Sequence, residues 1–581
     1  MYLRLTTTNW DKPEFVICDK QKDYDYIEKD NINIFIYGYP FDGSTSSWIS
    51  SNDVQRAYLR DGLDFVEDIE GIYTILIFDK IKKRCSLITD RYGIYNLFYF
   101  KNDKHIIISD TLSEIIDHMQ HIRLNRGSII EYLNFGFKLG NKTHIEDIYE
   151  FKSSTIYQIS KELEMTEECY WNLLDKTEKE KITKEEFRKI FNEHILTAMS
   201  LSEKVSLPLT GGLDTRTILS SCIPKKERLH CYTHGPENHG DIKLAQKICR
   251  HFGIEHDSYT WDENWIKNLP SNLESNALMF NGLIGLTYLH VIESLKKESR
   301  SQELFITGVL GNQLYRHHPF GNKVADSTDL DGASLFIIKN LPSVFYFKTD
   351  LTYYYNNLFS NYNSKEVIDL MKKSVKTELI KAKNVKNAND LSAFFLFSTY
   401  CSNVASNSLK LTGKYFEVFN PFFHKDLLQQ IRFMSLKERT NGSIQKYIIE
   451  KNNSYLANLS YASSNRTLKY MKLIANKVSR RVIKRDIFSS PNTVDYADWM
   501  RNHHKEFILD VLNHEKMVTK GLFRKQELEK IVELFLNDNP SLAGKKEILL
   551  SFSIERFIFN IISLEIWLKR IRAQSNFLVM E

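Results

Sequence analysis

Short alternations of apolar and polar residues fill the first third of the chain, and longer helical spacings follow. Ile32-Asn33-Ile34-Phe35-Ile36-Tyr37-Gly38 alternates and then meets Tyr39-Pro40, which predicts a strand ending in a turn. Gly71 to Asp79 predicts a second strand, closed by a lysine-rich turn. Cys85 to Asp90, Asn96 to Phe100 and His105 to Ser109 predict three more. Strands this closely spaced predict packed antiparallel sheets. From Asp175 to Lys184 the chain is charged and nearly free of apolar residues, which places a domain boundary there. Phe187 to Ala198 then shows helical spacing, and over residues 205 to 310 strands alternate with helices, as in a doubly wound α/β core. The apolar segment Ile548 to Ile571 is broken by Glu555, Arg556 and Glu565, which suits a buried helix rather than a membrane span.

Composition narrows the class. At 581 residues the chain is long enough for two or more domains with cores of their own. Its 42% apolar and 26% charged residues are those of an ordinary soluble protein, and a net charge of +5 makes no case for nucleic acid. The seven cysteines are scattered with no Cys-x-x-Cys pair, so neither a zinc site nor a disulfide framework is expected. Met-Tyr-Leu-Arg-Leu at the start lacks the form of a secretion signal. Together these place the protein in a reducing cytoplasm.

The most informative stretch is Leu207-Pro208-Leu209-Thr210-Gly211-Gly212-Leu213-Asp214-Thr215-Arg216. An apolar strand runs into two glycines, an aspartate and hydroxyls, and an apolar helical pattern resumes after it. A strand, glycine turn and helix N-terminus present unpaired backbone N–H groups, which makes an anion site. Gly211 and Gly212 are expected to bring the backbone close to a phosphate and to take positive φ. Asp214 is expected to hold the Mg²⁺ that accompanies pyrophosphate, with a plain helix N-cap as the structural alternative. No Gly-Lys-Ser/Thr follows, so this is not the lysine-bearing P-loop.

The string resembles the Ser-Gly-Gly-x-Asp-Ser loop of the ATP-pyrophosphatase superfamily, with Thr210 and Thr215 in place of the serines. The order of other motifs resembles the asparagine synthetase family. Gly71-x-Tyr73 through Asp79, then Asp90-Arg91-Tyr92-Gly93 through Tyr99, is similar to its amidotransferase half. Ser109-Asp110 with Glu114-Ile115, Gly136, Thr143 to Ile148 and Tyr170-Trp171 continue that likeness. In the second half, Tyr232-Thr233-His234-Gly235 with Asp241 and Ala245, Thr307 to Tyr315, Glu417 to His424 and Leu564 to Leu568 fall in family order.

The resemblance implies an α/β protein. Residues 1–172 would form an N-terminal α+β antiparallel-sheet sandwich of amidotransferase type. Residues 185–575 would form a doubly wound α/β ATP-pyrophosphatase domain with many added helices. It implies a ligase that uses ATP and Mg²⁺ to adenylate a carboxylate and pass it to an amine. ATP would meet Leu209, Thr210, Gly211, Gly212, Leu213, Asp214, Thr215, Arg216, His234, Gly235 and Gly308. The metal would sit on Asp214 and Asn312, and Asp214 and Glu417 would serve catalysis. For Arg216 a phosphate contact and a surface salt bridge weigh equally. His234 either borders the adenine or is simply solvated, and Glu417 is either catalytic or a satisfied structural acid.

Departures from the pattern shape the expectation. The family's glutaminase uses an N-terminal cysteine with its own α-amine as base, but Tyr2 stands at that position and Cys18 cannot supply an α-amine. The first domain is therefore expected to be a scaffold without glutaminase activity, as in the β-lactam synthetases and lasso-peptide cyclases that the chain also resembles. Asn312 replaces the second acidic ligand, and Val309 stands where a Glu or Tyr would handle the amine's proton. Lys469, Lys477 and Lys484 are candidates to face the developing negative charge, within a run otherwise read as a charged helix face. The expected partners are a small-molecule or peptide carboxylate and an amine, with no nucleic acid and no membrane span, and a homodimer is an admissible assembly. Two alternatives stand beside the ligase: a non-catalytic nucleotide-binding relative acting as a scaffold, and a glutamine-dependent asparagine synthetase.

Overall fold

The computed structural model describes the chain except residues 1, 8–9, 11–12, 17–22, 44–46, 175–179, 236–238, 261–262, 279–280, 284–288, 317–329, 346–356, 383–387, 432, 460–495, 538–550 and 575–581. Among the described residues, twelve strands fall in the first half. They are β1 (Tyr2–Thr6), β2 (Glu14–Val16), β3 (Tyr24–Lys29), β4 (Ile32–Asp42), β5 (Ser47–Trp48), β6 (Ile69–Asp79), β7 (Arg84–Thr89), β8 (Phe98–Lys101), β9 (His105–Ser109), β10 (Ile148–Glu150), β11 (Thr155–Ser160) and β12 (Met165–Cys169). They form a five-stranded sheet in the order β10-β8-β9-β1-β2 and a seven-stranded one in the order β12-β11-β7-β6-β4-β3, with β5 beside β4. Every pairing in both is antiparallel.

Period-two alternation explains how these sheets pack. Leu3, Leu5, Ile106 and Ile108 of the first sheet share a core with Phe35, Tyr37, Leu76 and Phe78 of the second. The alternate residues Ile34, Ile36, Tyr73 and Ile75 face the other way, onto Val54 and Tyr58 of the helix Ser51–Asp61. The expected turn at Tyr39-Pro40 does not form. β4 continues to Asp42, with Pro40 opposite Gly71 of β6. Pro40 lies beyond the reach of β3, which pairs only with Ile32 to Tyr37, so its missing N–H breaks no bond on that side. Gly71 permits the approach, since a Cβ there would lie 2.2 Å from the Tyr39 carbonyl oxygen.

The second half carries a parallel sheet. Its strands are β13 (Val205–Pro208), β14 (Leu229–Gly235), β15 (Glu255–Thr260), β16 (Leu304–Ile306) and β17 (Glu417–Phe419), in the order β15-β14-β13-β16-β17. All four pairings are parallel. The chain winds outward from β13 to β14 and β15, then returns to β13's other side for β16 and β17. The direction reverses between β13 and β16, so their carboxyl ends flank a topological switch point, where open α/β sheets bind ligands.

Specific contacts join the halves. Tyr92 stacks on Phe423 with ring centroids 4.4 Å apart, and the Tyr39 hydroxyl donates to the Gly413 carbonyl at 2.6 Å. The late apolar segment forms the helix Ser551–Gln574, whose Glu565 is fully buried and accepts backbone N–H bonds from Val518 and Thr519 at 2.8 and 2.9 Å. Among the described residues no helix is long and apolar enough to cross a membrane.

Candidate functional site

β13 is buried from Val205 to Leu207, with Val205 and Leu207 on one face and Ser206 donating to Glu298 at 2.8 Å on the other, and it ends at Pro208, a residue tolerated there because pairing with β16 stops at Ser206. The Leu209 N–H still donates to the Tyr232 carbonyl at 2.8 Å, and the chain then turns through Thr210 to Gly212 into the helix Leu213–Cys222. Two hydroxyls close this turn. Thr215 Oγ1 receives the Thr210 N–H at 3.2 Å and lies 3.1 Å from Thr210 Oγ1, which in turn receives the Gly212 N–H at 3.2 Å. Asp241 Oδ1 receives the Gly211 N–H at 2.8 Å. The loop's own amides are thus held by side chains, and the anion-binding donors left are those of the helix's first turn, where Gly212 offers no side-chain cap. Gly212 has φ −71° and ψ 166°, and neither Gly211 nor Gly212 takes the positive φ expected of it. An N-cap needs extended backbone, which any residue adopts.

Asp214 sits in that first turn and gathers three elements. Gln445, on the helix Ser443–Asn452, donates Nε2–H to Asp214 Oδ1 at 2.6 Å. Arg316 Nη2 lies 3.4 Å from each carboxylate oxygen. Asn312, on the short helix Gly311–Tyr315 that follows β16, contributes its backbone N–H. Burial pushes the Asp214 carboxyl above its ordinary range, against the opposing pull of Arg316, Gln445 and that N–H. The β16 side presses close: a Cβ on Gly311 would lie 3.0 Å from Asp214 Cγ and 2.7 Å from Phe422 Cε2, so only glycine fits. Gly308 packs against the same turn, with its Cβ position 3.4 Å from Asp214 Cβ.

The donors fit a hard divalent cation. Among the described residues, Asn312 Oδ1 and Gln445 Oε1 are buried acceptors without a hydrogen-bond partner, on residues that meet Asp214. Oxygen ligands of this kind suit Mg²⁺. Arg316 supplies the positive charge that Asp214 now faces, so a metal there would displace the guanidinium.

The structure brings Leu209 to Thr215, Gly308 and Asn312 together at the switch point, with His234 and Gly235 ending the neighbouring strand β14. Burial, with His239 adding to it, lowers His234 to about 4, so its imidazole is neutral near pH 7. Two expectations need correction. Arg216 is neither a phosphate contact nor a surface ion pair: it is 1% exposed and donates to the carbonyls of Gly211 at 2.8 Å and Leu459 at 2.8 Å. It clamps the loop from behind. Glu417 opens β17 level with Leu304 and hence with Val205, at the amino end of the sheet. That is roughly four residues of strand rise, on the order of 13 Å, below the loop. There it accepts from Trp48 Nε1 at 2.7 Å. Val309 is tied instead by Asn420, whose Nδ2 donates to its carbonyl at 2.9 Å. Lys469, Lys477 and Lys484, like Cys18, lie outside the described residues. Gln445 and Arg316 escaped the sequence reading, since nothing local marks a glutamine 231 positions from its partner.

In the first half, Tyr2 is 6% exposed in β1 and stacks on His118 at 5.0 Å. Asp90 accepts the N–H groups of Tyr73 at 3.0 Å and Tyr92 at 2.7 Å and so shapes the Asp90 to Tyr95 turn. That motif does architectural work here.

A family model described as a glutamine amidotransferase domain matches residues 44–171. A provisionally named asparagine synthetase [glutamine-hydrolyzing] 2 of Methanocaldococcus jannaschii is 22% identical over 271 residues, 45% of this chain and 50% of that protein. The asparagine synthetase [glutamine-hydrolyzing] 2 of Bacillus subtilis is 34% identical over 65 residues, 11% of this chain and 9% of that protein. The chain thus spans no more than half the length of these relatives. A solved glutamine phosphoribosylpyrophosphate amidotransferase from B. subtilis, complexed with ADP and GMP, covers 41% of this chain and 73% of its own at 9% identity, with a TM-score of 0.19.

Proposed function

We propose, proceeding from this chain's membership of the asparagine synthetase family, that it is an ATP-dependent amide-forming ligase. A substrate carboxylate attacks the α-phosphorus of ATP, releasing pyrophosphate, and an amine then displaces AMP from the acyl-adenylate. The observation that carries this reading is the placement of Asp214 and an uncapped helix N-terminus at the switch point of a parallel sheet.

Each residue has a task in this scheme. The N–H groups of Leu213 to Thr215 donate to phosphate oxygens, while Thr210, Thr215 and Asp241 hold the turn rigid. Arg216 fixes the loop's rear. Asp214, Asn312 Oδ1 and Gln445 Oε1 would hold Mg²⁺, which supplies charge against the departing pyrophosphate. Arg316, once off Asp214, is free to meet a phosphate oxygen. Donors fixed before reaction cost no reorganisation as charge develops.

One observation favours a second reading. Arg316 already neutralises Asp214 and Asn312 carries no charge, which suits nucleotide binding without turnover. Pyrophosphate release from Mg-ATP across a panel of carboxylates, with ammonia or glutamine as amine source, separates the two. Release that Asp214→Ala abolishes supports the ligase. ATP binding without release across the panel supports the non-catalytic relative, and release sustained by glutamine alone supports a glutamine-dependent synthetase.

A further inference from the structure

A cleft of about 780 Å³ lies between the two halves of the chain, and no phosphate-loop residue lines it. One wall is a single face of the helix Lys184–Met199, given by Ile190, Glu193, His194 and Thr197 at helical spacing. The facing wall comes from the first half, with Asp68, Ile69 and Glu70 at the start of β6 and the helix Ser51–Asp61 beside them.

The charge of this cleft is unbalanced. Seven carboxylates line it against two permanent cations, Arg60 and Lys425. Both cations are engaged: Arg60 pairs with Asp61 at 2.6 Å, and Lys425 Nζ donates to the Glu67 carbonyl at 2.7 Å. Asp53 is held by Ser50 and Arg56. Among the described residues, the side chains of Asp68, Glu70 and Glu193 have no hydrogen bond or ion pair.

Glu70 is the telling one. It is 7% exposed, so its carboxylate has lost most of its water. Its register partner is Phe41, so the two side chains leave the sheet on one face. Phe41 meets the rings of His194 at 6.1 Å and Phe419 at 5.9 Å, and Glu70 therefore faces the cleft and the second half. Arg91 feels its charge but donates to the carbonyls of Glu67 and Ile69 instead. Burial keeps His194 neutral, so the histidine does not offset the charge. His424 adds a buried Nδ1 without a partner among the described residues.

The composition of the lining selects the ligand. Among the described residues, the group whose ligand atoms converge to metal-binding distance is His230, Asp257 and Glu298, outside this cleft. The free carboxylates form no such group, and Val54, Phe65, Ile69 and Ile190 line the cleft with them. A lining of carboxylates and apolar side chains matches ammonium groups joined by methylene spacers. We propose that this cleft is a binding site for an aliphatic polyamine. The proposal does not depend on the ligase reading.

Calorimetric titration of the full chain with spermidine tests it, with MgCl₂ as a competitor. The expected result is saturable binding that Mg²⁺ at equal charge does not displace. Glu70→Gln and Glu193→Gln should each weaken it about tenfold, as the loss of a charge-assisted contact does. Glu193 is an exposed helix residue, so its variant reads the site even if Glu70→Gln disturbs folding. No saturable binding, binding untouched by Glu193→Gln, or complete displacement by Mg²⁺ would overturn the proposal.

Discussion

Trp48 of the first half donates its indole N–H to Glu417 of the second across 2.7 Å. This bond fixes the edge of the parallel sheet to the hairpin of β4 and β5, and it gives Glu417 a structural task far from Asp214. Glu417→Ala should therefore lower stability by about 2 kcal/mol, the loss of a charged hydrogen bond with an indole left unpaired. Pyrophosphate release per folded molecule should be kept. A variant that folds with unchanged thermal stability but loses turnover would restore Glu417 to the chemistry.

The contrast between Glu417 and Asp214 shows what a linear sequence reveals. Asp214 lies within ten residues of its strand, turn and helix, and local pattern placed all three. Glu417 matched a motif equally well, yet its position in the sheet depends on a register with β16 that no local pattern encodes. Arg216 failed for a related reason: an arginine beside a phosphate loop and one that clamps its carbonyls look alike until burial is known. The turn assigned to Tyr39-Pro40 overlooked that Gly71, 31 residues from Pro40 in sequence, would lie opposite it and make room. Gln445 and Arg316 approach the site through tertiary packing alone.

Leu310 occupies the left-handed region at φ 65° and ψ 2°, a conformation that favours glycine. It is also 7% exposed in the core. Burying a leucine contributes about 2 kcal/mol, and the left-handed conformation costs about 1 to 2 kcal/mol. The two nearly cancel, which explains how the residue is tolerated. Truncation separates them. Leu310→Ala should be less stable than Leu310→Gly by about 1 kcal/mol in urea unfolding, the reverse of the order at an ordinary site. The usual order, alanine above glycine, would show that the backbone here is relaxed.

His144 is 1% exposed, with its ring against Tyr132 and its Nδ1 3.2 Å from the Ser128 hydroxyl. Burial, aided by Lys138, lowers it to about 3. The unfolded chain takes up this proton near the ordinary value of about 6.5, whereas the folded chain refuses it until about 3. The unfolded state therefore binds more protons in that window. Stability should fall by about 1.4 kcal/mol per pH unit as pH drops below about 6.5. Comparing wild type with His144→Phe by urea unfolding at pH 7 and 5.5 isolates this contribution. The variant should lose less stability on acidification, and equal losses would mean that the folded histidine titrates normally.

Asn312 offers a buried, unpartnered amide oxygen beside Asp214 where the family motif has an acid. A neutral oxygen binds Mg²⁺ more weakly than a carboxylate does. Asn312→Asp should therefore tighten nucleotide binding in Mg²⁺ by about tenfold or more, the effect of one added charge on a shared ion. Without metal the same change should weaken binding, because two adjacent carboxylates repel each other and the phosphates. The widening gap between titrations in Mg²⁺ and in EDTA is the signature. If both variants bind ATP alike in the two buffers, Arg316 rather than a metal carries the phosphate charge, and Arg316→Met should then abolish binding.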